Sequence, residues 1–212
     1  MKIISTNIAE PITFNWNGQT VTTGIYKKPV NHPLFLGNQV VKGDYISDRN
    51  VHGGEFKACY LFSADNYPYW KERYPQLDWE WGMFGENLTV ASLNEKELHI
   101  GDIYAIGSTL VQVTQPREPC FKFGHKFGDT KALSTFIAHG YPGTYIRVLE
   151  EGYVKTGDVI ELVEKATDSI SIWDFFQLSY ARNKNKAHIK CILDNTALPK
   201  RKREKLRLFL ED

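Results

Sequence analysis

The 212-residue sequence predicts a mainly β domain of barrel or sandwich type over residues 1–165, followed by a small three-helix domain over residues 166–212. Three observations carry this reading. Short runs rich in β-branched and aromatic residues recur between Gly and Pro turns before residue 165. Beyond it the apolar spacing changes to that of helices. An internal echo, HIGDIYAI (His99 to Ile106) and KTGDVIEL (Lys155 to Leu162), repeats a Gly-Asp turn ahead of apolar β residues, as two pairing units of a closed, pseudo-symmetric design would.

The elements follow in order. FKACYLF alternates Ala58, Tyr60 and Phe62 against Lys57, Cys59 and Leu61, the period of a strand. SADNYPYWKERYP predicts a short helix that Ser63 or Asp65 can cap and Tyr74-Pro75 stops. TLVQVTQP (Thr109 to Pro116) is a β-branched strand closed by a proline, and TYIRVLEEG is a strand ending in Glu-Gly. Ser171 and Asp174 have the spacing of a capping box ahead of Trp173, Phe176, Leu178 and Tyr180. KAHIKCILDN carries Ile189, Ile192 and Leu193 at helical spacing, with Asn195 expected as a left-handed cap. Pro199 opens a third helix whose buried stripe is Leu206, Phe209 and Leu210.

Composition narrows the function. The chain is 42% hydrophobic, 13% aromatic and 24% charged, the make-up of a folded globular protein. No apolar run reaches the roughly 18 residues of a spanning helix, and the start lacks a signal-peptide apolar stretch, so a cytoplasmic protein with no membrane partner is expected. Three cysteines (Cys59, Cys120, Cys191) without a CxxC pair indicate neither a disulfide framework nor a zinc ribbon. A net charge of +1 gives no global field for nucleic acid, and the run KRKREKLR reads as a solvated helix face opposite an apolar stripe.

Chemistry concentrates in four stretches. TQPREPCFKFG sets Cys120 between Arg117 and Lys122, and neighbouring cations favour the reactive thiolate. Against this stands a thiol buried as a small apolar residue. VHGG places His52 beside Gly53 and Gly54, whose backbone lets a ligand approach closely. FGENLT offers Glu86 and Asn87. IYKKPV offers Lys27 and Lys28, of which strand alternation lets only one face a site. No Walker loop, Rossmann fingerprint or Ser-His-Asp spacing is present.

The order KKPV, VHGG, FGENLT, GDIY, QPREPC and a three-helix tail resembles the YiiM-like family of MOSC-domain proteins, from about Thr23 to the C-terminus. The resemblance implies a MOSC β-barrel related to the C-terminal domain of molybdenum-cofactor sulfurase, with Cys120 as molybdenum ligand. It also implies a link to detoxifying N-hydroxylated bases, for which two-electron reduction of the N–OH group is the expected reaction. Glu55 stands where a proline is frequent, and the segment around Gly43-Asp44 matches loosely. On this reading Lys27, Lys28, Arg117, Gly53 and Gly54 hold the phosphate of the molybdenum cofactor (molybdopterin). Glu86 and Asn87 read the pterin edge, and His52 is the candidate proton donor, with a structural role for it equally open. The substrate is a small N-hydroxylated compound and the electron donor is a separate, unidentified partner. Pyridoxal phosphate and nucleic acid are not expected, and a homodimer is the commonest symmetric outcome. Two other readings compete: a sulfur carrier holding a Cys120 persulfide, and a non-enzymatic binding module.

Overall fold

The computed structural model describes residues 1–47 and 53–211. The first part of the chain supplies strands β1 (Lys2–Ile8), β2 (Ile12–Trp16), β3 (Gln19–Thr23), β4 (Lys28–Val30) and β5 (Leu34–Leu36). A 3₁₀ turn at Glu55–Lys57 leads into β6 (Cys59–Ser63), then helix α1 (Tyr67–Arg73) and β7 (Leu88–Ala91). Next come β8 (Ile103–Ile106), β9 (Thr109–Pro116), α2 (Phe121–Phe127), α3 (Ala132–His139), β10 (Thr144–Glu150), β11 (Gly152–Val154) and β12 (Ile160–Glu164). Helices α4 (Ile172–Tyr180), α5 (Lys186–Ile192) and α6 (Lys200–Glu211) end the chain.

Eight strands form one mixed sheet in the order β12-β8-β9-β10-β6-β7-β1-β4, in which only β6 and β7 run parallel. The barrel expected from the sequence is met in part: the strand ladder ends at β12 and β4, and an isolated antiparallel bridge, Lys2 to Val159, joins β1 to the residue before β12. The reason lies in β1, whose free side is divided. Its last residues pair with β4, Thr6 opposite Val30. Its first residues meet only the start of β12, where the Ile160 N–H donates to the Met1 carbonyl and the Ile3 N–H to the Asp158 carbonyl.

The Gly-Asp echo is real and local. Gly101 and Gly157 both have positive φ, and in each copy the aspartate carboxylate accepts the N–H three residues earlier, His99 to Asp102 and Lys155 to Asp158, both at 2.9 Å. The strands that follow these turns, β8 and β12, pair antiparallel.

Strand β6 is buried on both faces, because it separates two cores. Cys59 and Leu61 point into an aliphatic core with Ile3, Leu88, Val113 and Ile146. Tyr60 and Phe62 point into an aromatic one built around Trp70, Phe84, Phe123, Phe127 and Phe136. The C-terminal helices share the aliphatic core through Ile172, Phe175, Leu178, Ile189 and Leu206, and Phe176 enters the aromatic one.

Helix ends differ in detail from expectation. Ser171 caps α4 by accepting the Asp174 N–H at 3.0 Å, as its spacing predicts. Neither Ser63 nor Asp65 caps α1; Asp65 instead accepts the Ser92 N–H. Asn195 does not adopt a left-handed conformation but donates its amide to the Ile100 carbonyl at 2.9 Å, tying the tail to the sheet. Trp173 and Tyr180 are less buried than Ile172 and Phe175, which carry the inward face of α4.

Candidate functional site

Strand β9 ends at Pro116, and the next four residues cross the end of the sheet before α2 begins. Cys120 is the N-cap of α2 in extended conformation. Its half-buried thiol lines a cleft that also takes in Lys27, Asp44, Gly53, Lys57, Asn87, Arg117 and Lys122.

Arg117 forms the cleft floor. It is 6% exposed, donates to the Phe84 carbonyl, and its guanidinium lies 5.2–5.6 Å from the ring centres of Tyr60, Phe123 and Phe136. Among the described residues this cation meets a carbonyl and π faces rather than a carboxylate, and it lines the cleft. Tyr60 and Tyr145 meet beside it as tilted rings with centres 5.1 Å apart, and the Tyr60 hydroxyl donates to the Pro142 carbonyl at 2.7 Å. Burial raises the Tyr145 hydroxyl above the ordinary tyrosine value, with Arg117 opposing the shift.

Lys27 lines the cleft and Lys28 does not, as alternation requires; Lys28 is exposed on β4. Lys27 is not an isolated cation, because Asp44 pairs with it in the wall. Asp44 also accepts the Ala9 N–H at 2.8 Å and the Asn87 amide at 2.9 Å. Asn87 lines the cleft, yet its Nδ2 is spent on Asn7 and Asp44 and its Oδ1 accepts the Tyr60 N–H. Glu86 lies outside the cleft lining. It is wholly buried, accepts from Tyr67, Thr89 and the Gly82 and Phe84 N–H groups, and so braces the 82–89 turn.

Gly53 reaches the cleft, and Gly53 and Gly54 have φ of 113° and 79°, conformations glycine adopts without strain. His52 lies outside the described residues. At Gly24, also in the cleft wall, a Cβ would sit 1.9 Å from the Tyr45 carbonyl oxygen, so the chain passes there only as glycine.

The structure adds Lys57, Glu118 and Lys202 to the residues that the motifs single out. Lys57 follows Gly54 by three positions and lies over the Tyr145 ring at 5.6 Å. Burial and the nearby Lys202 cation hold its ammonium below the ordinary lysine value, while Glu118 and Cys120 pull the other way. Lys122 reaches back from α2 to Ser47 at 2.8 Å. Glu118 accepts Lys202 of α6 at 2.6 Å; burial alone would raise its carboxyl, but Lys202, Lys57 and Lys205 hold it below the ordinary value. Lys122 is the cation that the sequence sets beside Cys120, and the same charge count would have pointed to Glu118. Nothing in the sequence points to Lys202.

A family model described as the MOSC domain matches residues 48–161. The protein named "Uncharacterized protein YflK" of Bacillus subtilis is 37% identical over 196 residues, covering 92% of this chain and 88% of its own. A protein of Gibberella moniliformis named "Reductase" is 34% identical over 185 residues, which is 86% of this chain but 32% of that longer protein. The crystal structure of YiiM from Geobacillus stearothermophilus aligns with a TM-score of 0.81 at 34% identity, covering 99% of this chain and 98% of that one. These matches agree with the fold, and the chain belongs to the MOSC domain family as a YiiM-like member.

Proposed function

We propose that this protein is a molybdenum-cofactor reductase of small N-hydroxylated compounds, N-hydroxylated bases among them, with Cys120 as the protein's ligand to molybdenum. The observation that carries the reading is the placement of one half-buried thiol in a cleft with Lys27, Lys57, Arg117 and Lys122. This donor set suits the group the family is associated with. A soft thiolate completes the ligands of a metal that arrives with its own sulfur donors, and the cations suit a phosphate. The cofactor, when bound, supplies the two-electron chemistry that the side chains lack.

The reaction balances as R–NHOH plus two electrons and two protons giving R–NH2 and water. This chain's residues bind and orient. Lys57 and Lys122 lie at the sides of the cleft to receive an anion, and Arg117 sets a fixed positive field at its floor. Tyr60, Tyr145 and Ile25 give flat, apolar walls against which a planar substrate stacks and from which water is excluded. A proton held at Nζ of Lys57 or at the Tyr145 hydroxyl is within the cleft lining, and His52, next in sequence to Gly53, remains the proposed donor of the second. Lys28 and Glu86, both outside the lining, take no part in this version of the site.

The two electrons come from a separate donor, a reading supported by the longer relative named "Reductase", most of which has no counterpart here. The three cysteines are free thiols, which suits the reducing cytoplasm. The deciding experiment is molybdenum and pterin analysis of the protein purified from cells that make the cofactor, with Cys120→Ser beside it. Equimolar metal and pterin in the parent and loss of metal in the variant are expected. A cofactor-free protein carrying persulfide sulfur on Cys120 would favour the sulfur-carrier reading instead.

A further inference from the structure

Charge in this chain is segregated. Residues 181–207 contain ten lysines and arginines against two carboxylates, Asp194 and Glu204, although the whole chain has a net charge of only +1. The rest of the chain therefore carries a surplus of acid, and the basic surplus is concentrated on α5, α6 and the segments before them.

Helix α6 shows this most sharply. Lys202 and Arg203 turn inward, Lys202 to Glu118 and Arg203 to the Leu193 and Leu198 carbonyls. Lys200, Arg201, Lys205 and Arg207 are exposed, with Glu204 and the 59% exposed Leu208 among them. Arg201, Lys205 and Leu208 share one helical face by their spacing. Helix α6 meets the cleft lining at Glu118. Lys202, adjacent to Arg201, holds the residue two positions before Cys120, and the Lys205 charge is felt at Glu118.

We propose that the Arg201–Lys205–Leu208 face of α6 docks a small acidic electron-transfer protein, which delivers the electrons consumed in the Cys120 cleft. The proposal rests on the reductase reading. A cationic face beside a redox site steers an acidic carrier to the one orientation that brings its redox group near the cleft mouth. Leu208 gives that contact an apolar centre ringed by charge, the usual anatomy of a protein interface. Nucleic acid would be attracted by the same charge, but its binding would gain nothing from adjoining the cleft.

The test uses the cofactor-loaded protein with reduced flavodoxin, a small acidic flavoprotein, as donor and an N-hydroxylated purine as acceptor. The variant is Arg201→Glu with Lys205→Glu, neither of which lines the cleft. Dithionite-reduced benzyl viologen serves as a small donor that needs no docking face. The double variant is expected to lower the kcat/KM for flavodoxin by about tenfold or more while viologen-supported turnover stays at the parent level. Parent turnover with flavodoxin should fall as salt is raised. Unchanged flavodoxin kinetics in the variant would overturn the docking face, as would viologen turnover with none from flavodoxin. Tight duplex-DNA binding that the variant abolishes, with flavodoxin unable to compete, would assign the face to nucleic acid and overturn it too. Failure of viologen-supported turnover would instead overturn the reductase reading.

Discussion

Lys27 and Asp44 form an ion pair inside the wall of the Cys120 cleft, with side-chain exposures of 7% and 3%. The sequence groups Lys27 with Lys28, Arg117, Gly53 and Gly54 around a phosphate; here its charge is first met by Asp44. The pair also organises the wall, since Asp44 gathers the Ala9 N–H and the Asn87 amide.

Removing Asp44 leaves a buried ammonium without a counter-charge. Asp44→Ala is expected to lose about 3–5 kcal/mol in urea unfolding. Adding Lys27→Met should recover only part of that, because the Ala9 and Asn87 donors remain unmet. A double variant as stable as the parent would show that the pair, not the network, sets the cost.

Cys120 and Cys59 should separate function from packing. Cys120→Ser is expected to keep the parent melting temperature and lose bound molybdenum. Cys59 is 1% exposed in the aliphatic core, where burial already pushes its thiol far above the ordinary range. Cys59→Ser puts a hydroxyl there and should cost about 1–3 kcal/mol while metal content per folded molecule is kept. Equal metal loss in both variants would defeat the assignment.

The cations of the cleft should differ in their effect on anions. Lys122→Ala is expected to weaken inorganic phosphate binding by about 1.5–3 kcal/mol, tenfold or more in affinity, by calorimetric titration. Lys28→Ala, on an exposed site outside the lining, should leave it unchanged. The reverse order would move the anion site to the far side of β4.

Glu95 is 1% exposed beneath the start of α4, and burial pushes its carboxyl from an ordinary 4.5 up to about 7, against the Gly143 N–H at 2.9 Å, which pulls it down. The folded state therefore holds this proton more tightly than the unfolded chain. Its contribution is full below about pH 4.5 and is lost as pH rises through about 7, a change on the order of 3 kcal/mol. Glu95→Gln keeps an acceptor for Gly143 and should flatten stability between those limits. An unchanged slope would assign the pH dependence elsewhere.

Deleting residues 166–212 removes Ile172, Phe175, Leu178 and Ile189 from a core they share with Ile3, Leu98 and Ile100. It also removes Lys202 from Glu118. The truncated sheet is expected to aggregate; a soluble, monomeric sheet that still binds cofactor would show that the helices are an appendage.

The sequence by itself determined what local chemistry can specify. The β9 strand stops where Pro116 removes a donor, the two Gly-Asp turns need φ that glycine supplies, and Ser171 caps α4 through an oxygen three residues from its partner. The motif order likewise marks Cys120, which the fold sets in the lining of a cleft. Tertiary structure alone decided the partners of the charges. Nothing near Lys27 in sequence is acidic, so its pairing with Asp44 depends on the fold. Glu86 reads as a ligand-facing carboxylate until the 82–89 turn closes around it and its oxygens are filled by local N–H and hydroxyl donors. Lys202 meets Glu118 across 84 residues only because α4 and α6 pack on the sheet. A turn or a cap is set by a few neighbouring torsions, whereas a long flexible cation takes whichever carboxylate the assembled core leaves within reach, and only the packed chain fixes which one that is.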